Sequence, residues 1–211
     1  MRKNSTSLTS ARPLIVDFIG GSLNHRLNFG GGIKQNLAKA VGIKPGIRPD
    51  IIDATAGLGR DSFILASMGS YITLIERSQI MHDLLADGMK KASREGGKLS
   101  EIIARMTLIH GDAIEILPQT STDVIYIDPM HPPRQKSALV KTEMRQIRAI
   151  VGEDLDQLQL IKTALSANCR RVAVKWPAKS PLPDGLPEFS HQLVGKSVRF
   201  DIFMNTNLDE T

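Results

Sequence analysis

The segment from Asp53 to Asp61, DATAGLGRD, has the residue types that a nucleoside-binding turn requires. A predicted strand runs into a glycine turn, and a predicted helix begins at Asp61. Gly57 and Gly59 carry no side chains, so the backbone can approach a ligand closely. The free N–H groups and positive dipole end of the helix favour a carboxylate or a phosphate. We therefore predict a cofactor site here, formed by Asp53, Ala56, Gly57, Gly59 and Asp61.

Two more acids follow the next predicted strands. Glu76 closes the strand YITLIE, where an acid can accept hydrogen bonds from both ribose hydroxyls of a nucleoside. Asp112, in HGDA, can hold an adenine amino group while the Ala113 backbone contacts the ring, or it can cap the helix that begins at Ala113. A solvated strand-end charge is the alternative for Glu76. Arg77 beside it either shapes the pocket or is solvated.

The sequence DPMHPP, residues 128–133, follows DVIYID, the most strand-like segment of the chain. It resembles the Asp/Asn-Pro-Pro-aromatic motif of amino-group methyltransferases. An exocyclic amine conjugated to a ring is a poor nucleophile, but the Asp128 carboxylate and the Pro129 carbonyl can accept its two N–H bonds. These contacts would hold the nitrogen near a methyl sulfonium and favour positive charge on it. A plain strand-end turn is the alternative for this motif alone; together with the other three elements, it predicts S-adenosylmethionine-dependent methylation of an amine.

Predicted strands and helices alternate along most of the chain, which indicates right-handed crossovers and a mostly parallel sheet. The predicted strands are Asp50–Ala54, Tyr71–Glu76, Arg105–His110, Asp123–Asp128 and Arg171–Trp176, then Ser190–Val194 and Ser197–Phe203 as an antiparallel pair. The predicted helices are Ile33–Ala40, Asp61–Met68, Gln79–Lys91, Ile114–Leu117, Lys136–Ile150 and Asp154–Ala167, with a polar break at Ser93–Lys98. This pattern predicts an α/β, Rossmann-like fold with a mostly parallel seven-stranded sheet, helices on both faces and a C-terminal antiparallel hairpin. Because such sheets bind ligands beyond the carboxyl ends of their strands, the four elements above should share one pocket.

The 211 residues suffice for one α/β domain with a full core. We predict a methyltransferase domain over residues 45–211, preceded by an N-terminal segment, residues 1–44, that packs on the cofactor site. This segment contains the glycine-rich stretch Asn28–Gly32, which either covers a cofactor or is a flexible turn.

Composition limits the location and the partners. No apolar run reaches the roughly 18 residues that span a bilayer, and the polar start of the chain lacks a signal peptide's apolar stretch, so we expect a cytoplasmic protein that does not bind membranes. The net charge of +5 and the pI of about 9.4 are compatible with a polyanionic substrate.

The single cysteine, Cys169, excludes an intramolecular disulfide and is expected to be a buried thiol. The histidines show no metal-ligand spacing, so no metal is expected.

Basic residues follow the DPMHPP motif. Lys141, Arg145 and Arg148 have helical spacing and share one face, which either contacts phosphates near the target base or is solvated. The predicted substrate-binding residues are Met130, His131, Arg134, Lys136, Lys141, Arg145, Lys175 and Trp176. Lys175 pairs either with a phosphate or with an acid in the pocket. Trp176 either stacks on an extruded base or packs in the core.

The sequence resembles the RsmJ family of bacterial small-subunit ribosomal RNA guanine-N2 methyltransferases. The matching segments are VDFIGG (16–21), FGGGIKQNLAKAVGIK (29–44), DATAGLGRDSFILASMG (53–69), LIER (74–77), YIDPMHPPRQKSALVKTEMR (126–145), RVAVKWP (171–177) and RFDI (199–202). The resemblance implies methylation of N2 of one guanosine in 16S rRNA, with 16S rRNA or the small ribosomal subunit as partner. It also implies cofactor contacts at Arg60, Asp61, Glu76, Arg77, Asp112, Ala113 and Asp128. The chain departs from the family at His131, where Phe is more usual, and at Trp176.

Three other hypotheses fit parts of the pattern. An enzyme that methylates adenine N6 or a protein glutamine would share the cofactor site and Asp128. An RNA-binding relative without catalytic activity would keep the fold, but Asp128 and Glu76 argue against it. A nicotinamide oxidoreductase would have no use for Asp-Pro-Met-His after the fourth strand.

Overall fold

The computed structural model describes residues 14–20, 23, 26–27, 31–130, 146–147, 151 and 156–205. The strands within these ranges are β1 (Ile51–Asp53), β2 (Ile72–Glu76), β3 (Met106–His110), β4 (Ser121–Ile127), β5 (Asn168–Pro177), β6 (His191–Val194) and β7 (Val198–Met204). The α-helices are α1 (Asn36–Ala40), α2 (Arg60–Ser67), α3 (Gln79–Arg94), α4 (Gly97–Ile103), α5 (Ala113–Ile116) and α6 (Gln157–Ser166). No helix in this part of the chain has the length and apolar character needed to span a membrane.

The strands form one seven-stranded sheet in the order β3-β2-β1-β4-β5-β7-β6. The first five strands pair in parallel, and β7 joins β5 and β6 antiparallel, as predicted. Ile51 of β1 pairs with Ile72 and Val124, so the first strand lies between the second and the fourth. The residues that end β1, β2 and β4 are therefore neighbours at one edge of the sheet, because parallel strands point their carboxyl ends the same way.

Hydrophobic clusters lie on both faces of the sheet, because successive side chains along a strand point to opposite sides. Val124 and Tyr126 of β4 belong to one cluster, whereas Ile125 and Ile127 belong to the other. Each face is covered by helices, as the parallel connections require. Cys169 belongs to the second cluster, where burial raises the pKa of its thiol to about 11, so the predicted buried thiol is confirmed.

Two helical predictions need correction. The predicted polar break at Ser93–Lys98 is shorter, because α3 continues to Arg94 and the unpredicted helix α4 begins at Gly97. Gly96 and Gly97 have positive φ angles and form the turn, while Ile102 and Ile103 are buried by tertiary contacts. The predicted helix Ile33–Ala40 is divided into a 3-10 turn, Gly32–Lys34, and the short helix α1.

The N-terminal segment shares the main core. Phe18 stacks on Phe63 of α2 with ring centroids 4.8 Å apart, and Val16 is buried against Gly88 of α3. Helix α1 packs against β6 and β7, at the antiparallel side of the sheet. Arg26 is the described residue of this segment that lines the cavity at the cofactor edge. Packing of the segment as a whole on the cofactor site therefore stays a prediction.

Candidate active site

A cavity of about 460 Å³ opens at the carboxyl ends of the parallel strands. It is lined by thirteen of the predicted site residues: Asp53, Ala56, Gly57, Arg60, Asp61, Glu76, Arg77, Asp112, Ala113, Asp128, Pro129, Met130 and Lys175. The four elements that were separate in the sequence therefore surround one space. Gly59 does not line the cavity, because it stands at the start of α2 and faces the core.

Asp53 stabilises the glycine turn from its buried side. Its carboxylate accepts hydrogen bonds from the Thr55 N–H (3.0 Å) and from the Ser62 hydroxyl, and the residue is only 2% exposed. Burial raises the pKa of Asp53 to about 7 in spite of these two donors. Gly57 and Gly59 have φ angles of 53° and 65°, in the left-handed region that favours glycine. The turn is thus specified by one buried acid and two glycines.

Glu76 connects β2 to the same turn. Its carboxylate accepts hydrogen bonds from the Gly57 N–H (2.9 Å) and the Ser78 N–H (2.8 Å). The neighbouring Arg77 donates to Asp156 at 2.6 Å, so its guanidinium is held at the wall of the cavity. Glu76 therefore stands between the turn and the cavity, at the position expected of a ribose acceptor.

Asp112 begins helix α5. Its side chain accepts a hydrogen bond from the Ile114 N–H at 2.8 Å, which confirms the helix-capping role. The residue and Ala113 also line the cavity. One oxygen of Asp112 is thus used by the cap, and contact of this residue with an adenine ring stays a prediction.

Asp61 is the centre of an ion-pair network. Its carboxylate accepts hydrogen bonds from Arg26, from Lys175 Nζ (2.8 Å) and from the Tyr126 hydroxyl (2.7 Å). Burial opposes its charge, but the two cations lower the pKa of Asp61 to about 2. Asp61 is therefore an anion at every physiological pH.

Asp128 stands directly after β4, and two interactions hold it. Its backbone N–H donates to the Thr55 hydroxyl at 2.7 Å, and its Oδ2 accepts a hydrogen bond from Lys175 Nζ at 2.7 Å. Burial raises the pKa of the Asp128 carboxyl, and Lys175 opposes that rise. Within the described residues, the second carboxylate oxygen, Oδ1, accepts no hydrogen bond. Among the described residues, Oδ1 is thus an acceptor without a donor, on a residue that lines the cavity.

The family of the chain is shown by comparison with known proteins. A family model described as "Putative SAM-dependent methyltransferase" matches residues 2–205. Ribosomal RNA small subunit methyltransferase J of Brucella anthropi is 53% identical over 92% of this chain and 95% of that protein. The chain belongs to the ribosomal RNA small subunit methyltransferase J family.

Two further relatives agree with this assignment. The protein of the same name from Pseudomonas aeruginosa is 48% identical over 92% of this chain and 75% of its own length. The crystal structure of a SAM-dependent methyltransferase from Neisseria gonorrhoeae is 33% identical, covers 95% of this chain and 78% of that chain, and superposes with a TM-score of 0.74. The predicted Rossmann-like methyltransferase fold and its cofactor are thereby confirmed.

The residues of the cavity fit S-adenosylmethionine, the cofactor of this family. The volume lies within the range of about 300–1,000 Å³ that small-molecule sites have. Among the described atoms, a Cβ placed on Gly57 would meet only the Thr55 carbonyl oxygen, 3.8 Å away, so these residues leave the turn backbone accessible to a ligand. Ile75, Met81 and Ile114 provide apolar wall for an adenine ring, with the acids Glu76 and Asp112 nearby.

The structure corrects one predicted substrate contact and clarifies another. Trp176 is 5% exposed, belongs to the hydrophobic cluster on the face opposite Lys175, and donates its indole N–H to the Pro181 carbonyl at 2.8 Å. It does not line the cavity, so the prediction of base stacking was wrong and the core-packing alternative holds. Lys175 pairs with acids in the pocket, which was one of its two predicted roles.

Five predicted substrate contacts, His131, Arg134, Lys136, Lys141 and Arg145, lie outside the described residues. Four residues with contacts at the cavity were not identified from the sequence: Arg26, Thr55, Tyr126 and Gln157. The Gln157 side chain donates to the Met130 carbonyl at 2.6 Å. Thr55 and Tyr126 lie inside motifs that the sequence interpretation had singled out. Arg26 and Gln157 have no local signal, because their partners are 35 and 27 residues away.

The described residues contain no group of three or more histidine, cysteine or acidic side chains placed to hold a metal ion.

Proposed function

We propose that this chain transfers a methyl group from S-adenosylmethionine to the exocyclic N2 amine of a guanosine in 16S rRNA of the small ribosomal subunit. The observation that carries this proposal is the Asp128 carboxylate at the cavity, where Lys175 holds Oδ2 and no described residue donates to Oδ1. The relatives named as ribosomal RNA small subunit methyltransferases support the substrate class. A cytoplasmic location, where ribosomal subunits are found, is part of the same proposal.

The chemistry assigns distinct tasks to the residues of the cavity. When bound, S-adenosylmethionine supplies an activated methyl group on a sulfonium. Glu76, Asp112 and the turn backbone would hold its nucleoside, and the network around Asp61 supports the turn. The role of Asp128 and the Pro129 carbonyl is to accept the two N–H bonds of the guanine amine. This orients the nitrogen lone pair and stabilises the positive charge that develops on nitrogen.

RNA contact is proposed for the basic stretch after Asp128. Met130 lines the cavity beside Asp128, and the chain continues through His131, Arg134, Lys136, Lys141 and Arg145. Each lysine or arginine that neutralises a phosphate releases counterions, so RNA binding should weaken with rising salt. Replacing Lys141 and Arg145 by alanine should lower the slope of log affinity against log salt by about 0.7–0.9 per lost phosphate contact. An unchanged slope would show that neither residue contacts an RNA phosphate.

A methyl-transfer assay tests the function. Labelled methyl is offered to small ribosomal subunits that lack the modification, with naked 16S rRNA as a parallel substrate. Nucleoside analysis of the labelled RNA should find N2-methylguanosine. Label in N6-methyladenosine, or in protein, would show that the acceptor is adenine or a protein side chain and not guanine. No label in any acceptor, with measured cofactor binding, would contradict the proposal, and the Asp128→Asn variant controls for a contaminating enzyme.

A further inference from the structure

Lys175 lies between the carboxyl groups of Asp61 and Asp128 at the cavity. Its ammonium is 2.8 Å from Asp61 Oδ2 and 2.7 Å from Asp128 Oδ2. The Lys175 side chain is 23% exposed, whereas Asp61 and Asp128 are 12% and 35% exposed. A single cation thus connects the acid of the cofactor turn to the acid proposed to contact the acceptor amine.

The two acids depend on Lys175 to different degrees. Asp61 also accepts hydrogen bonds from Arg26 and Tyr126, so it keeps two donors without the lysine. The Asp128 side chain has Lys175 as its one hydrogen-bond donor within the described residues. Removal of the ammonium would therefore affect Asp128 more than Asp61.

Asp128 needs such a partner because its role conflicts with its surroundings. A carboxylate accepts N–H bonds from an amine more strongly than the neutral acid, whose O–H group is a donor, but a low-dielectric site favours the neutral form. Asp61 adds negative charge beside it, and the Tyr126 hydroxyl is directed to Asp61. Among the described groups facing Asp128, Lys175 and the more distant Arg26 are the cations that favour its charge.

We infer that Lys175 is a positioning residue, which keeps Asp128 ionised and fixes Oδ2 so that Oδ1 serves the acceptor amine. The inference rests on the proposed function, because it assigns Lys175 to the reaction through Asp128. The ammonium does not need to touch the RNA. This role replaces the predicted phosphate contact of Lys175 and explains why a lysine stands at the carboxyl end of β5.

The pH dependence of methyl transfer tests this role. Lys175→Met should shift the acidic midpoint of kcat/KM upwards by about one pH unit or more, since it removes a cation within 3 Å of the carboxylate. The rate of this variant should recover in part at higher pH. Lys175→Arg keeps the charge and should retain the wild-type midpoint, and Lys179→Met, at an exposed position on the following loop, is the matched control.

Two further measurements separate this role from simple destabilisation. The ¹³C resonance of the Asp128 carboxyl, assigned with Asp128→Asn, can be titrated in the cofactor-free protein and should show the same shift in Lys175→Met. In the Asp128→Asn background, adding Lys175→Met should change the single-turnover rate by less than about threefold, because the group through which it acts is gone.

The outcomes are distinguishable. An unshifted midpoint in either titration, or independent multiplicative losses in the double variant, overturns the role of Lys175 and leaves the methyltransferase activity in place. Absence of methyl transfer by the wild type overturns the proposed function, while the carboxyl titration still reports whether Lys175 controls the charge of Asp128.

Discussion

At the residue scale, two aspartates at neighbouring strand ends have opposite tasks. Asp53 is enclosed beneath the glycine turn and accepts hydrogen bonds from Thr55 and Ser62. Asp128 lies at the cavity wall, where a lysine holds one of its oxygens. The environment, and not the residue type, decides that one acid is enclosed in the turn and the other stands at the cavity wall beside a cation.

Replacement of Asp128 by asparagine should lower methyl transfer by about 100-fold or more, because the acceptor for the amine loses its charge. Thermal unfolding should change little, since Lys175 keeps Asp61 as its partner. Asp123→Asn, at the opposite end of the same strand, is the matched control and should retain activity. Wild-type turnover by the Asp128 variant would contradict the mechanism.

Asp53 should make stability depend on pH. The folded state retains the Asp53 proton up to about pH 7, whereas the unfolded chain releases it near its ordinary pKa of 3.8. The unfolded state binds fewer protons in this window, so the free energy of unfolding falls as pH rises, by at most about 1.4 kcal/mol per pH unit. Asp53→Asn stays neutral and should lack this decline.

Urea unfolding of both proteins from pH 4 to pH 8 measures the effect of Asp53. The difference in unfolding free energy, wild type minus variant, should decrease up to about pH 7 and then become constant. Parallel pH curves for the two proteins would show that Asp53 is ionised in the folded state throughout.

At the element scale, the start of α2 depends on close packing against α3. Gly59 precedes α2 with φ of 65°, and a Cβ there would lie 2.7 Å from Leu85 Cδ1 and 3.3 Å from Phe18 Cζ. Leu85 is itself fully buried, so a shift of its side chain would disturb the close-packed core around it. The glycine thus sets how closely the cofactor turn approaches the next helix.

Gly59→Ala should therefore destabilise the protein beyond the conformational cost of its positive φ. Gly46→Ala is the matched control, because Gly46 has a φ of 78° but a methyl group added there would meet no atom of the described residues within 4 Å. The excess loss for Gly59→Ala should be roughly 1–3 kcal/mol in urea unfolding, as overpacking of a core costs. Equal losses for the two variants would mean that the α2–α3 contact relaxes freely.

At the whole-molecule scale, described residues of the N-terminal segment contact the rest of the chain through the core and through the Arg26–Asp61 ion pair. A Cβ on Gly88 would lie 2.7 Å from Val16 Cγ1 and 2.8 Å from the Val16 carbonyl oxygen. A backbone atom cannot rotate away as a side chain can. To make room for the added Cβ, residues 14–20 would have to move together, and the stacking of Phe18 on α2 opposes this movement.

Gly88→Ala should consequently accelerate chymotrypsin cleavage after Phe18, which is 1% exposed in the folded protein. A loss of about 1.4 kcal/mol of docking free energy would give roughly tenfold faster cleavage when opening is fast. Lys90→Ala, two residues further along α3 and exposed, is the control. Unchanged cleavage would show that the segment is not held by the Val16–Gly88 contact.

The sequence by itself determined which strand ends carry the acids and glycines of the site, and that these residues share one pocket. Alternating strand and helix patterns, glycine spacing and strand-end acids are local features, so they could be recognised without tertiary contacts. The seven strands and the cofactor turn were predicted for this reason. Helix α4 was missed because its two glycines resemble a loop and its buried isoleucines need α2 and α3 to cover them.

Only the tertiary structure decided which partner each charged or aromatic side chain has. Lys175 and Trp176 are adjacent in β5, so they point to opposite faces of the sheet, and one strand end cannot direct both towards the substrate. The lysine meets Asp128, 47 residues away, because β4 and β5 are neighbours in the sheet, and it meets Asp61, 114 residues away, because α2 begins at the same cavity. Such pairings follow from strand order and register, which short-range patterns do not contain.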